Sequence, residues 1–348
     1  MAYTTINKST DYFNTVTYNG NGSTQSITGV GFQPDFVWGK ARSGTDAVYN
    51  HQLFDVIRGA TKHLRSNNTT AEGTLTNSVT SFDSDGFSLG NDGHMNLSGN
   101  ANVAWNWKAN GAGSSNTDGS ITSTVSANTT SGFSIVKYTG TGSNATVGHG
   151  LNVAPAMIHV KGIDVGTTNW LTGGSNISSN WGSSLHLNTT GGLDTYNYWQ
   201  NQAPSTSTFA LSTDGANNQS GVNFIAYCFA EVPGYSKFGS YTGTGGSGFG
   251  DFNFIYTGFK PRYFMLKDTT STGDWNIWDS ARSTYNSDFK QLYANSNSAE
   301  GSTTGYWDFL SNGIKQRHSG FNTSGNKYIY MAFGQSLVGS NNVPATAR

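Results

Sequence analysis

The chain has 348 residues, with 45 Gly, 19 basic and 20 acidic side chains and a formal net charge of −1. So even a balance leaves no electrostatic footprint for nucleic acid or an anionic membrane surface. An aromatic content of 13% argues against disorder, because that much apolar surface offsets the entropy lost on ordering, and a single cysteine, Cys228, excludes an internal disulfide.

The polar remainder is rich in Ser, Thr, Asn and Gly, whereas Glu occurs only at Glu72, Glu231 and Glu300. That is the composition of short strands joined by tight turns, since Gly and Asn accept positive φ and Thr suits a pleated surface. The first residues carry no basic segment followed by an apolar one, and the longest apolar stretch, Phe224 to Ala230, is too short to cross a bilayer. Neither host secretion nor membrane insertion is expected.

In chain order, residues 1–12 read as an N-terminal arm, followed by a pattern that occurs three times. Tyr18-Asn19-Gly20-Asn21-Gly22 returns as Tyr138-Thr139-Gly140-Thr141-Gly142 and as Tyr241-Thr242-Gly243-Thr244-Gly245. Next, Pro34, Pro155 and Pro261 each precede an apolar run that ends at Lys40, Lys161 and Lys267, six positions on. Phe54-Asp55-Val56-Ile57-Arg58 matches Trp278-Asp279-Ser280-Ala281-Arg282, and Leu64, Asn67, Ala71 and Glu72 match Leu292, Asn295, Ala299 and Glu300. The middle copy keeps only Leu187-Asn188-Thr189-Thr190.

Asp83-Ser84-Asp85-Gly86 then corresponds to Thr213-Asp214-Gly215 and to Ser311-Asn312-Gly313, a hairpin signal between apolar residues. The closing strands are Val103 to Trp107, Ile225 to Phe229 and Ile329 to Phe333. About eight strand-like stretches per copy, with turn signals every 8 to 15 residues, predict an all-β chain of three tandem, diverged antiparallel β-sandwich units of jelly-roll or lectin-like form. The predicted boundaries are 13–109, 132–233 and 234–334, with 110–131 as a linker and 335–348 as a C-terminal tail.

Candidate sites are few. Stacking on sugar rings needs exposed indoles flanked by Asn and Asp; the candidates for glycan binding are Trp170, Trp181 and Trp199, which lie in Gly/Asn/Ser-rich surroundings, and Trp275. Trp38, Trp105 and Trp107 read as core. Asp83 and Asp85 resemble half a calcium loop without its bidentate Glu, so the hairpin reading is preferred and no metal is expected. The Asp55/Arg58 and Asp279/Arg282 pairs are expected to clamp a loop, and Lys40, Lys161 and Lys267 to snorkel over their own strands. No catalytic residue is assigned: paired carboxylates, metal-ligand His spacings, a nucleophile elbow and a phosphate loop are all missing. Cys228 aligns with Asn106 and Ala332, so its position does not require sulfur. No cofactor is expected.

The stretches from Gly31 to Arg42, Phe54 to Ala60 and Val103 to Ala109 together resemble an uncharacterised repeat domain frequent in predicted structural proteins of marine tailed bacteriophages. The resemblance is good over 13–109, recognisable in the third copy and weak in the second. It implies a virion protein, assembled in the host cytoplasm and extracellular after lysis, with no catalytic residues to carry over. The expected role is a tail-fibre or receptor-binding adhesin contacting host surface polysaccharide, whose repeated weak sites gain avidity. It would be a homo-oligomer, such as a trimer, joined to other virion proteins. The alternatives are a capsid decoration, head-fibre or other tail structural protein that stabilises the particle and, as a minor one, a polysaccharide depolymerase.

Overall fold

The computed structural model describes residues 4–44, 49–283, 285–286 and 289–336. It is all-β, 42% strand and 4% helix, and built from antiparallel sheets. Three sheets share one pattern. In the first, Phe13–Asn19 pairs with Ala101–Trp107, which pairs with Phe36–Ser43, which pairs with Gln52–Asp55. The second repeats this order with Phe133–Thr139, Asn223–Phe229, Met157–Gly162 and Leu171–Gly174. The third does so with Ser236–Thr242, Lys327–Ser336, Phe259–Asp268 and Asn276–Asp279. Smaller sheets accompany them: Gln25–Ile27 with Gly86–Leu89 and Val79–Asp83, Ala145–Gly148 with Thr208–Leu211, and Phe254–Tyr256 with Gly313–Gln316 and Trp307–Leu310.

The closing strands show why their apolar runs are unbroken. Successive side chains of a strand face opposite sides. Val103, Trp105 and Trp107 join Ile225, Tyr227, Phe229, Ile329, Met331 and Phe333 in one core shared by all three sheets. The alternate residues turn the other way: Ala104 into a core of the first segment, Phe224, Ala226 and Cys228 into one of the second, and Tyr328, Tyr330 and Ala332 into one of the third. A strand buried on both faces must be apolar at nearly every position. At the centre, the rings of Trp107, Phe229 and Phe333 lie 6.2, 5.8 and 6.0 Å apart, an almost equilateral triangle about an approximate threefold axis.

The seams between segments repeat around this axis. Glu72 N–H donates to the Ile163 carbonyl, Leu193 N–H to Thr269, and Glu300 N–H to Arg42, at 2.8, 3.1 and 2.8 Å. Running the other way, the Trp170 indole donates to the Arg65 carbonyl at 2.7 Å and that of Trp275 to His186 at 3.0 Å, while His51 Nε2 lies 2.9 Å from the Tyr293 carbonyl. Each set closes a ring of three contacts, so the segments form one body and not a string.

The glycine signature has a structural cause. The N–H groups of Gly20, Gly140 and Gly243 donate to the carbonyls of Asn100, Val222 and Asn326. A Cβ on these glycines would fall 2.1, 2.3 and 2.1 Å from the carbonyl oxygens of Leu97, Gln219 and Thr323, closer than any side chain tolerates. The preceding tyrosines, Tyr18, Tyr138 and Tyr241, donate their hydroxyls to the Met95, Asn217 and Phe321 carbonyls and so tie the strand to the same turn.

Four expectations need correction. Residues 110–131 are not a free linker, because Ser114–Asn116 and Ser123–Asn128 are strands that extend the second sheet beside Phe133–Thr139. Asp214-Gly215 is not the counterpart of the Asp85-Gly86 hairpin. Asp214 caps the short helix Gly215–Asn218 through Ala216 N–H, as Asp92 caps Gly93–Asn96 through His94 N–H. The true equivalents of the first hairpin's strand Gly86–Leu89 are Thr208–Leu211 and Gly313–Gln316, each of which pairs with the strand that follows the glycine signature. The N-terminal arm is pinned: Ile6 is buried in the shared core, and Ser9 Oγ donates to Gln335 Oε1 at 2.9 Å. The proposed tail therefore begins inside the last strand, Lys327–Ser336, and its residues 337–348 lie outside the described residues.

Candidate functional site

The four indoles expected to stack on sugars have no free face. Trp170, Trp181, Trp199 and Trp275 are exposed by 1% or less. Trp170 and Trp275 occupy the seams described above. Trp181 and Trp199 meet edge to face at 5.2 Å over Gly173, filling the volume that Trp278 occupies at the matching place in the third segment. Their Gly/Asn/Ser-rich surroundings reflect loops folded back as core, so a glycan platform at these four residues is corrected to an interior role.

The acid–base pairs also lie inside. Asp55 accepts from the Ile57 and Arg58 N–H groups and from Arg58 Nε, and Asp279 accepts in the same way from Ala281 and Arg282. Each pair clamps its turn, as expected, and additionally joins two segments. Tyr227 of the second segment donates to Asp55 at 2.8 Å, and Trp105 of the first donates to Asp279 at 2.9 Å. The third seam has dispensed with the charges. Gly174 and Ile177 stand where Asp and Arg stand elsewhere, and Met331 replaces the donating Tyr227 or Trp105.

Lys40, Lys161 and Lys267 do not snorkel to solvent; all three are fully buried. Lys161 Nζ donates to the Gly162 and Val165 carbonyls and to Thr168 Oγ1. Lys267 Nζ donates to the Gly273 carbonyl and, across a seam, to that of Thr190. Lys40 Nζ donates to the Ala41 carbonyl. Burial disfavours each ammonium and lowers its pKa, to about 7 for Lys40 and about 8 for Lys161 and Lys267. Cys228 is equally inert, since burial pushes its thiol pKa well up and leaves no nucleophilic thiolate.

Open to solvent is a cleft of about 510 Å³ in the third segment. Tyr293, Tyr306, Phe321 and Tyr328 supply rings to its lining, and Asp268, Asp274, Asn276 and Gln291 supply polar groups. Tyr306 stacks on His318 at 3.8 Å with planes 9° apart, which holds its ring in place. Tyr293 donates to Gln291 Oε1, and Gln291 Nε2 donates to Asn276 Oδ1, so the polar wall is preorganised. Burial, followed by the charge of Asp274 and the nearby Tyr306, raises the Tyr293 pKa and keeps its hydroxyl protonated. Burial alone would raise Asp268, but hydrogen bonds from Ser271, Asn326 and Thr270 hold it below the usual carboxylate range.

Sequence reasoning missed these residues, although the expected Trp275 lies between two of them. Its ring faces the shared core, while Asp274 and Asn276 line the cleft, as strand alternation requires. Among the described residues, no three His, Cys, Asp or Glu side chains are grouped to hold a metal ion, and no helix is long and apolar enough to cross a membrane.

Comparison with known families gives a match over residues 8–336 to a domain described only as a domain of unknown function, DUF7483. The chain belongs to the DUF7483 family. That match embraces all three sheets together, in keeping with their shared core. No curated protein matches the DUF7483 chain significantly.

Proposed function

We propose that this DUF7483 protein is a structural component of a bacteriophage particle, built of three diverged sandwich units closed into one body and displayed on a tail fibre or similar appendage that meets host polysaccharide. The observation that carries the reading is the closed ring of seams around the Trp107, Phe229 and Phe333 triangle. A single chain with approximate threefold form fits the end of a trimeric fibre or a threefold position on a shell. Its stability comes from interior packing without any disulfide, which suits a part that leaves the cell on lysis.

A second reading, a decoration or cement protein, draws support from the exposed Phe249, Phe254 and Tyr256 beside the outer strand Phe254–Tyr256, an apolar surface of the kind that packs against another protein. Gold-labelled antibody on intact particles, or particle reconstruction, separates the two. Label on fibres or tail tips supports the appendage, label spread over the capsid supports decoration, and absence from purified particles refutes both.

A further inference from the structure

We propose that the cleft of the third segment is a binding site for an uncharged saccharide, which deepens the attachment reading and rests on it for the biological partner. The approximate threefold form provides two internal controls. The register of the sheets places Asn50, Asn169 and Asp274 at one equivalent position, just before the fourth strand of the shared pattern. There each side chain does the same job. Asn67 donates to Asn50 Oδ1 at 2.6 Å, Asn188 to Asn169 Oδ1 at 2.8 Å and Asn295 to Asp274 Oδ1 at 2.7 Å. Asn67, Asn188 and Asn295 in turn accept the N–H groups of His51, Trp170 and Trp275.

An amide oxygen therefore satisfies the architecture twice, and the third segment's carboxylate is not needed for folding. Its second oxygen is an additional acceptor at the cleft wall. Asp268 follows Lys267 directly, where Ala41 and Gly162 follow Lys40 and Lys161, so the second carboxylate is also special to this segment. The same holds for the ring of Tyr293, whereas Tyr328 has a ring counterpart in Phe224. Tyr293 pairs with Asn276 across neighbouring strands, where the second segment has His186 and Leu171. The third segment alone combines a tyrosine, an amide and two carboxylates.

That combination selects its ligand. Tyrosine and phenylalanine faces pack on the C–H faces of a pyranose, and carboxylate and amide oxygens accept from its hydroxyls. A volume of about 510 Å³ lies within the range of small-ligand pockets and holds two to three sugar rings. Two carboxylates on the lining repel uronic and sialic acids, so an uncharged sugar is preferred.

The test uses the full chain in ligand-observed NMR and calorimetry, with neutral trisaccharides of glucose, mannose, galactose and N-acetylglucosamine, and trigalacturonate as the charged control. The expected result is saturable binding of at least one neutral probe, with trigalacturonate at least about tenfold weaker, a difference of about 1.4 kcal/mol. Tyr306→Ala removes one ring, and Thr272→Trp, at an exposed rim position, blocks the mouth without touching the core. Each is expected to weaken binding about tenfold or more, equivalent to the loss of one good stacking contact. Should Tyr306→Ala fail to fold, Thr272→Trp decides alone. The proposal is overturned if no neutral probe binds below about 10 mM, the weak end of specific recognition, if Thr272→Trp leaves binding intact, or if the uronate binds best. Particle labelling tests the attachment reading independently, so the two fail separately.

Discussion

Replacing Asp279 by Ala tests whether the seams hold the molecule together. Asp279 is fully buried and accepts four hydrogen bonds, from Trp105 Nε1, the Ala281 and Arg282 N–H groups, and Arg282 Nε at 2.6 Å. Its removal leaves the Arg282 guanidinium in the interior, over the Trp105 ring at 5.5 Å, with only Glu300 and the Ile277 carbonyl as neighbours. Breaking a buried pair from one side costs about 3–5 kcal/mol; Glu300 still faces the guanidinium, so the cost here lies in the buried Arg282 Nε, Trp105 Nε1 and two backbone N–H groups that lose their acceptor. For a chain this long the unfolding entropy is about 0.7 kcal/mol/K, so Tm should fall by about 4–7 °C. Scanning calorimetry reads this directly, and the shared core predicts that it remains a single transition. The double variant Asp279→Gly with Arg282→Ile copies Gly174 and Ile177 of the second segment and removes both charges together. It should lose less stability than the single variant, as replacement of an ion pair by apolar groups often does. A shift below about 1 °C for Asp279→Ala, or a double variant worse than the single, would refute the argument.

Other expectations follow from the same contacts. Gly20→Ala places a methyl 2.1 Å from the Leu97 carbonyl and should cost about 2–3 kcal/mol, measured by urea unfolding, whereas Gly59→Ala meets no atom within 4 Å and is limited to its positive-φ strain of about 1 kcal/mol. The fragment 110–233 should not fold alone, since Phe133, Ile135, Met157 and Phe229 would lie exposed; a cooperative melt of the monomeric fragment would contradict this. Stability should be greatest between about pH 9 and 10. Burial lowers the pKa of Lys40 to about 7 and of Lys161 and Lys267 to about 8, so between those values and 10.5 the unfolded chain holds more protons and stability rises with pH. Burial likewise lowers His63 to about 4 and His159 to about 3, so stability falls as pH drops from 6.5 through those values. Buried Tyr138, Tyr227 and Tyr235 are raised and oppose further gain above pH 10. Urea midpoints at pH 5, 7 and 9 should increase in that order, and a maximum between pH 5 and 7 would contradict the burial of these groups.

The all-β character, the matching strands and the glycine turns were legible because they follow from local rules: alternation along a strand, and a carbonyl sitting where a Cβ would be. What could not be read was which surface a residue meets across the chain. Trp170 and Trp199 sit in sequences that look like solvent loops, yet they are buried by segments 105 and 15 residues away, against Arg65 and Ser184. Asp214-Gly215 resembles a hairpin as a dipeptide, and only the pairing of Thr208–Leu211 with Ala145–Gly148 shows it to be a helix cap. The stretch 110–131 reads as linker because its composition is polar, but Val125 and Ile121 supply enough apolar anchor to place its strands on the second sheet.

The approximate threefold form also sorts conserved architecture from local function without any second sequence. Features that recur in all three segments serve folding: the buried lysines, the asparagine at 67, 188 and 295, and the tyrosine over the glycine turn. Where one segment departs at an interior position, its neighbour across the seam departs with it, as Met331 accompanies the loss of aspartate at Gly174. Such paired change is what close packing demands, since an unmatched indole or phenol would leave a buried donor unsatisfied. Asp274 differs from its equivalents, Asn50 and Asn169, with no compensating change in the hydrogen bond that the asparagine makes to it. A departure that packing does not require, and that faces solvent instead of a seam, is the kind that a ligand explains.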